Sequence, residues 1–334
     1  MKILVTRTDR LGDVLLALPT LQYLRSSIPD AEIDFLCKME IGDVIRPTLD
    51  ALKIRTIFLP AEGKLKFVKK YDASLFLFWD ERLVKAAFWS RIPVRVGSYS
   101  KPLSYLLLTK GIRQHRSQAR KNEALYNLDL ARILLGQMGV TDEASIEESL
   151  TLASDDLSTK KIELVLKDLK LERSQFVVVH PGMGGSALNL SASLYVQMIE
   201  KLLSEGREVV LSLGPSPLDQ AIGTGIRREL PQVTIFEGHP LSLVREFFRS
   251  AQWVIAPSTG PLHLAHFAGT STLGIFSPVL SHSKTRWAPW GGTGESVTLS
   301  PDVPCPAKQD CLGSACEYFP CMDKTDWVNL MGKI

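Results

Sequence analysis

Short apolar runs alternate with longer amphipathic stretches along the first half of the chain. A strand is predicted at Lys2–Thr6, and a helix with one broad apolar face begins near Asp13. Pro19 falls inside that helix, where it should remove a hydrogen bond and produce a kink. Further apolar runs follow at 33–37, 54–59, 74–79 and 94–96. This alternation is typical of parallel strands joined by crossover helices.

The second half repeats the alternation more clearly. Strands are predicted at 176–180, 208–213, 233–236, 253–256 and 272–276. Helices are predicted at 192–204, at 241–248, and from Ser258 to about Ala268. The pattern therefore predicts two α/β halves, each a doubly wound sheet that binds ligands at the carboxyl ends of its strands.

Length and composition agree with two domains. The chain has 334 residues, more than one typical core holds, and its 45% apolar and 22% charged residues are ordinary for a globular protein. A polar stretch and then a charged helical pattern mark a boundary within 150–175. We therefore divide the chain into residues 1–160 and 161–334.

Charge and hydropathy narrow the class of protein. The net charge of +3 does not call for a nucleic-acid partner, and none is predicted. The first apolar run, at Ile3 to Val5, is too short for a signal peptide, and no run approaches the ~20 apolar residues that cross a bilayer. We expect a soluble, cytoplasmic protein.

Four of the five cysteines lie close together near the end of the chain, at Cys305, Cys311, Cys316 and Cys321. In a cytosolic protein such a group indicates reduced, packed thiols or a structural metal rather than disulfides. Their spacing lacks the paired C-x-x-C pattern of common zinc sites, so no metal site is predicted.

The first candidate site is the segment from Arg7 to Asp13, at the carboxyl end of the first strand. Gly12 permits a tight turn, and Asp13 stands at the start of a helix. Two interpretations are open: Asp13 caps the helix, or it faces a ligand as a general base for a hydroxyl group.

A glycine-rich loop follows the strand that ends at His180. It contains Gly182, Gly184, Gly185 and Ser186 and leads into a helix. Main-chain N–H groups in such a loop can hold a diphosphate, although an ordinary turn has the same composition. The loop matches neither the Walker nor the dinucleotide pattern.

A second anion site is predicted at Ser258, Thr259, Gly260 and Pro261, followed by His263. Ser258 is a natural N-cap, and proline is favoured in the first turn of a helix. The N–H groups and dipole of this helix would face an anion, and His263 would reach a phosphate oxygen. A structural role for His263 is equally open, and His266 is expected to pack.

The basic stretch at 110–121 contains Arg113, Arg116, Arg120 and Lys121. Such a stretch is either a solvated face or a surface that recognises carboxylates and phosphates of an anionic acceptor. Lys64, Lys66, Lys69 and Lys70 add positive charge to the same half of the chain.

These motifs, in this order, resemble the ADP-heptose:lipopolysaccharide heptosyltransferases of glycosyltransferase family nine. The matching segments are Gly12-Asp13 with its helix to Pro19, Tyr71-Asp72, 91–97, His180-Pro-Gly with the loop to Asn189, 258–265, 286–289 and Cys321-Met-Asp. They span almost the whole chain. The sequence departs from the family at Leu188, where a basic residue is usual, and at Ser258, where many members have Asp. Lys284 or Arg286 would have to supply the missing positive charge.

The resemblance implies the GT-B fold, with two facing Rossmann-like domains and a central cleft. Residues 1–160 would hold the acceptor and residues 161–334 the nucleotide sugar. The reaction would be an inverting transfer of heptose from ADP-heptose to a sugar hydroxyl of the lipopolysaccharide inner core. It would need no cofactor and no metal in the nucleotide site, and it would take place in the cytoplasm, with the inner-membrane surface as one place to meet the acceptor.

The resemblance also gives roles to residues, with Asp13 as the general base. The donor-binding residues would be Gly12, Gly182, Gly184, Gly185, Ser186, Asn189, Ser258, Thr259, Gly260, Pro261 and His263. The acceptor-binding residues would be Arg10, Arg113, Arg116, Arg120 and Lys121. Three alternatives stay open: a nucleotide-sugar epimerase, a heptosyltransferase that acts on protein and uses the four cysteines to bear a metal, and a binding module without transfer.

Overall fold

The computed structural model describes residues 1–60, 71–141, 149–185 and 187–328. Two compact domains divide the chain: Met1–Arg116 with Lys121–Ala153, and Ser117–Arg120 with Ser154–Ile334. The sequence placed the boundary after residue 160, inside a helix. That helix belongs wholly to the second domain, because Asp155 caps its start and pairs with Arg245 at 2.9 Å.

The first domain is built on a six-stranded parallel sheet with the order β3-β2-β1-β4-β5-β6. Its strands are β1 (Lys2–Thr6), β2 (Glu32–Cys37), β3 (Ile54–Phe58), β4 (Ala73–Phe76), β5 (Val94–Ser98) and β6 (Lys110–Ile112). Its helices are α1 (Leu11–Leu15), α2 (Leu18–Ser27), α3 (Met39–Ala51), α4 (Glu81–Trp89), α5 (Ser104–Leu107) and α6 (Glu123–Gln137). The strand order reverses at β1 and β4, and doubly wound sheets bind ligands at such a switch point.

The second domain has the same topology, with the sheet order β12-β11-β10-β7-β8-β9. Its strands are β7 (Phe176–Val179), β8 (Glu208–Leu213), β9 (Thr234–Glu237), β10 (Trp253–Pro257), β11 (Ser271–Ile275) and β12 (Ser296–Leu299). Its helices are α7 (Asp156–Asp168), α8 (Ala192–Ser204), α9 (Pro217–Glu229), α10 (Leu241–Ser250), α11 (Gly260–Phe267) and α12 (Lys284–Trp287). The switch point here lies between β7 and β10, so the prediction of two doubly wound α/β domains is confirmed.

The central strands of both sheets are buried on both faces, which explains their uninterrupted apolar sequences. Every residue of β7 is fully buried, and all but the first residue of β1 are buried. In the second domain the rings of Phe236 and Phe247 stack with centroids 3.8 Å apart. The loops that carry the candidate site residues follow these buried strands.

Several elements differ from the pattern-based prediction. Pro19 does not kink one helix: α1 ends at Leu15, and α2 starts at Leu18 with Pro19 in its first turn. There the missing N–H of proline is harmless, because first-turn N–H groups have no partner within the helix. Helix α9 and the edge strands β6 and β12 were not predicted. Within the described residues, no helix is long and apolar enough to span a membrane.

Candidate active site

The carboxylate of Asp13 lies in α1, directly after the central strand β1. Arg10, not Asp13, is the N-cap of this helix, and Gly12 lies buried between them. The Asp13 carboxylate accepts a hydrogen bond from Arg7 Nη2 at 2.6 Å. The capping interpretation is therefore wrong, and Asp13 belongs to a side-chain ion network.

Arg7 is the centre of that network and is only 2% exposed. It donates to Asp9 at 2.8 Å, to Glu123 at 3.2 Å and to the Asn127 side chain at 2.9 Å. With Asp13 counted, the fifth acceptor is the main-chain carbonyl of Leu77 at 3.2 Å. The guanidinium is thus held from several sides, and it fixes the orientation of the Asp13 carboxylate.

Burial and the charges of this network shift the pKa values of Arg7 and Asp13. Burial alone would lower the pKa of Arg7, but the charges of Asp9, Asp13 and Glu123 raise it, so Arg7 stays charged. Burial raises the pKa of Asp13 to about 6, against the opposing charge of Arg7 and with support from the negative charges of Asp9 and Glu123. Asp13 is consequently ionised at neutral pH and is more basic than an ordinary carboxylate, as a general base requires.

The basic stretch is partly built into the same network. Arg116 forms an ion pair with Glu123, and its guanidinium lies 5.6 Å from the ring centroid of Tyr126. Lys121 pairs with Asp129 and lies 5.1 Å from the same ring. Arg116 is therefore connected to Asp13 through Glu123 and Arg7. Both cations already have carboxylate partners.

Arg10, Arg113 and Arg120 are exposed. Lys64, Lys66, Lys69 and Lys70 lie outside the described residues. Of the predicted acceptor-binding residues, the exposed arginines have the accessibility that recognition of a large anion needs.

The glycine loop of the second domain contacts the carboxylate of Asp219, a residue that the sequence analysis did not identify. A Cβ added to Gly182 would lie 2.5 Å from Cγ of Asp219, so only glycine fits there. Gly184 has a φ of +55° and donates its N–H to Asp219 at 3.0 Å. Gly185 has a φ of +72°. Asp219 thus fixes the loop, and the Gly184 N–H is already engaged. Ser186 lies outside the described residues.

Asn189 closes the other end of the loop. Its side-chain amide donates to the Pro181 carbonyl at 2.7 Å, and its oxygen accepts from the Tyr195 hydroxyl at 2.8 Å. Tyr195 is fully buried in α8. Asn189 is one of the residues that carry the family resemblance, and its side chain connects the glycine loop to the helix that follows. The shape of the loop therefore explains why asparagine stands at this position.

Helix α11 begins at the carboxyl end of β10. Its N-cap is Thr259, whereas Ser258 was predicted for that role. The main-chain N–H of Ser258 instead donates to Ile275 of β11 at 2.9 Å, which keeps Ser258 in the sheet register. Pro261 lies in the first turn next to Gly260. The first-turn N–H groups of α11 remain the element here that suits an anion.

His263 is buried in α11, with 2% of its surface exposed. Burial lowers its pKa to about 3, helped by the neighbouring His266, so the imidazole is neutral at physiological pH. Its Nδ1 has no hydrogen-bond partner among the described residues. His266 Nε2 accepts from the Gly292 N–H at 3.1 Å, as expected for a packing role. His263 therefore offers no positive charge to a phosphate.

Comparison with known proteins gives the family of this chain. Residues 68–315 match the family model of glycosyltransferase family 9 (heptosyltransferase). A Haemophilus influenzae protein named "Putative glycosyltransferase" is 29% identical over 313 residues, covering 90% of this chain and 89% of the relative.

Solved structures of Escherichia coli enzymes show the same GT-B fold. Heptosyltransferase WaaC with ADP has a TM-score of 0.65 at 17% identity, covering 92% of this chain and 95% of that one. ADP-heptose LPS heptosyltransferase II has a TM-score of 0.68 at 19% identity, covering 89% and 90%.

Proposed function

The chain belongs to glycosyltransferase family 9, the heptosyltransferase family, and from that premise we propose that it transfers heptose from ADP-heptose to lipopolysaccharide. The acceptor is a sugar hydroxyl of the inner core. Transfer proceeds with inversion, and Asp13 is the general base. The family consists of transferases, which favours this function over the epimerase and the binding module.

The observation that carries the proposal is the Asp13 carboxylate, oriented by Arg7 at 2.6 Å and with a pKa raised to about 6 by burial. Asp13 takes the proton of the acceptor hydroxyl as its oxygen forms a bond to the anomeric carbon of the donor. The bond from that carbon to the diphosphate oxygen breaks, and ADP leaves with the electron pair. Attack from the side opposite the leaving group inverts the configuration.

The second domain would stabilise the departing diphosphate mainly through main-chain groups. The first-turn N–H groups of α11 and the helix dipole favour negative charge at this point. A neutral imidazole at His263 adds one hydrogen-bond partner. The glycine loop, shaped by Asp219 and Asn189, would lie along the donor. Lys284 or Arg286 would take the place of the basic residue missing at Leu188.

The acceptor class follows from exposed basic side chains. Arg10 and Arg113 of the first domain suit the phosphates and carboxylates of a lipopolysaccharide core, and Arg120, which belongs to the second domain, carries the same charge. Arg116 and Lys121 would act less directly, since both hold carboxylates of this chain. The reaction would take place in the cytoplasm, with the inner-membrane surface as one place to meet the acceptor.

Donor identity is tested by calorimetric binding of ADP, UDP and GDP. Selective binding of ADP is expected, and His263→Ala should weaken it about tenfold, the effect of one lost hydrogen bond of about 1.4 kcal/mol. A preference for UDP or GDP would overturn the donor assignment. An ADP affinity unchanged in His263→Ala would remove His263 from the donor site.

Acceptor identity needs a transfer assay with three arms. ADP-heptose is offered with heptose-deficient lipopolysaccharide core, with a protein acceptor, and alone. Transfer to the lipopolysaccharide core, and not to the protein acceptor, supports the proposal. Assignment of the new bond as axial or equatorial by NMR tests inversion. Transfer to protein would support the protein-directed alternative. Conversion of the donor in the absence of acceptor would show an epimerase.

A further inference from the structure

The last described segment of the second domain has little regular structure. After β12, residues 300–320 contain one short 3-10 helix, at Gly313–Ala315, and most of their side chains are exposed. An irregular segment of this length buries few apolar groups, so burial alone stabilises it weakly. Such segments are commonly held by a disulfide or a bound metal.

Each cysteine of this segment is less exposed than the residues beside it in the chain. Cys305, Cys311 and Cys316 are half-buried between exposed neighbours, and Cys321 is buried. None of the five cysteines of the chain forms a disulfide. All four of these cysteines line one cavity, and the rest of its wall is apolar. The fold therefore brings four thiols from 17 residues of chain to one enclosed space.

One main-chain N–H group at this cavity contacts a cysteine sulfur. The N–H of Gly313 points at the sulfur of Cys311 at 3.3 Å. Gly313 has a φ of +58°, which turns its N–H toward the sulfur. Hydrogen bonds from the main chain to sulfur are one of the means by which proteins tune metal-bound thiolates.

We propose that Cys305, Cys311, Cys316 and Cys321 bind a thiophilic metal centre, either a single zinc or iron ion or an iron–sulfur cluster. Four thiolates without carboxylate or imidazole are the donor set that such centres prefer. Among the described residues no group of three or more His, Cys, Asp or Glu side chains is arranged to hold a metal ion, so binding requires the four sulfurs to move closer together. Binding releases the thiol protons and draws the four sulfurs onto the metal.

The centre would support the proposed donor loop. Leu188, which follows the glycine loop, lines the same cavity as the cysteines. Cys321 and Met322 pack in the core cluster that also contains Leu190. A metal that fixes the cysteine segment thereby fixes the base of the loop from Gly182 to Leu190. This role is structural and is independent of whether the donor is ADP-heptose.

The test uses the full chain, purified without a histidine tag. Zinc, iron and acid-labile sulfide are measured per chain. The proposal expects about one zinc or iron ion, or a cluster with iron and sulfide in equal amounts. A titration of native thiols should then find the four cysteines protected until a mercurial displaces the metal. A wild-type protein without metal, which also takes up no zinc or ferrous iron on anaerobic reconstitution, overturns the proposal.

Two variants compare a cysteine of the proposed metal site with Cys37, the fifth cysteine of the chain. Cys316→Ser should lose most of the metal, whereas Cys37→Ala, which removes a buried thiol in the first domain, should keep it. Equal metal content in both variants would contradict the proposal. Hydrogen exchange of the wild-type chain, with and without metal, avoids any folding defect of a variant. Removal should speed exchange in residues 300–328 and 182–190, and unchanged exchange there would count against the supporting role.

Discussion

Asp13 in the first domain and the Thr259–His263 turn in the second both lie where a central parallel strand gives way to a helix. They use different chemistry at this shared position. The first site gathers charged side chains around Arg7, whereas the second offers main-chain N–H groups and a neutral imidazole. Burial acts on both, and in each case it favours the neutral form of the titratable group.

This difference matches the two tasks of a glycosyl transfer. Removing a proton requires an ionisable group whose pKa is close to the working pH, and Asp13 has one. Holding a diphosphate requires directed donors, which a helix start provides without any titratable cation. The comparison predicts that substitutions in the first domain change turnover and that substitutions in the second change donor binding.

The largest effect is expected for Arg7→Ala. This change leaves the carboxylates of Asp9, Asp13 and Glu123 without their shared cation, and loss of a buried ion partner costs about 3–5 kcal/mol. Urea unfolding of the variant should show a loss of that size. Arg25→Ala is the matched control, because Arg25 donates only to main-chain carbonyls in the same domain. Equal losses in both variants would mean that ordinary hydrogen bonds, not charge, explain the effect.

The second prediction concerns acid stability of the second domain. Burial lowers the pKa of His180 to about 4, of His263 to about 3 and of His266 to about 4. As the pH falls below about 6.5, these histidines are protonated in the unfolded chain before they are protonated in the folded one. The free energy of unfolding therefore decreases, by up to about 1.4 kcal/mol per histidine and pH unit.

The two domains should respond to acid in opposite directions. The pKa of Asp13 is raised to about 6 in the folded chain, so the folded first domain binds this proton before the unfolded chain does. Its free energy of unfolding therefore rises as the pH falls from 6 toward 4. Hydrogen exchange at pH 7 and pH 5 should therefore show earlier opening of β7 and α11 than of β1. Earlier opening of β1 would contradict these assignments.

Gly182→Ala is expected to have an intermediate effect. Its Cβ would lie 2.5 Å from Cγ of Asp219 and would displace the carboxylate that holds Gly184. Donor affinity should fall about tenfold, or about 1.4 kcal/mol, while turnover at saturating donor is largely kept. Gly225→Ala is the control, because its Cβ meets Ala192 at an ordinary 3.6 Å. If Gly182→Ala binds the donor as tightly as the wild type does, the glycine loop is not part of the donor site.

The smallest effect is the pH dependence of turnover. Since Asp13 must be ionised, kcat should have its midpoint near pH 6, be level above about pH 7 and fall toward tenfold per pH unit below the midpoint. Asp9→Asn should move this midpoint to lower pH, because the charge of Asp9 raises the pKa of Asp13. A midpoint that Asp9→Asn does not move would assign the titration to another group.

Local sequence was enough to predict most of the framework. Strand β1 and helix α8 have the predicted bounds, because each is set by its own apolar pattern and end signals. Helix α9 was missed because Gly223 and Gly225 weaken its helical pattern, although Ser216-Pro217 is a good helix start. Asp219, in its first turn, was missed with it.

The ion network around Asp13 could not be read from the sequence. Glu123 lies 116 residues from Arg7, and only the packing of α6 against the sheet brings them together. The available signals were an arginine directly after a buried strand and a glutamate after the Asn122 cap. The same network explains why Arg116 has a carboxylate partner within a stretch that resembles a solvated basic face.

The most direct test compares Asp13→Asn with Asp9→Asn. Both carboxylates bind Arg7 and are nearly equally exposed, 16% and 14%, so they differ mainly in position. We expect Asp13→Asn to lower kcat by about 10²- to 10⁴-fold with unchanged ADP affinity, as loss of a general base does, and Asp9→Asn to keep most turnover. Equal losses of kcat in the two variants, or loss of ADP binding in Asp13→Asn, would contradict the role of Asp13 as the base.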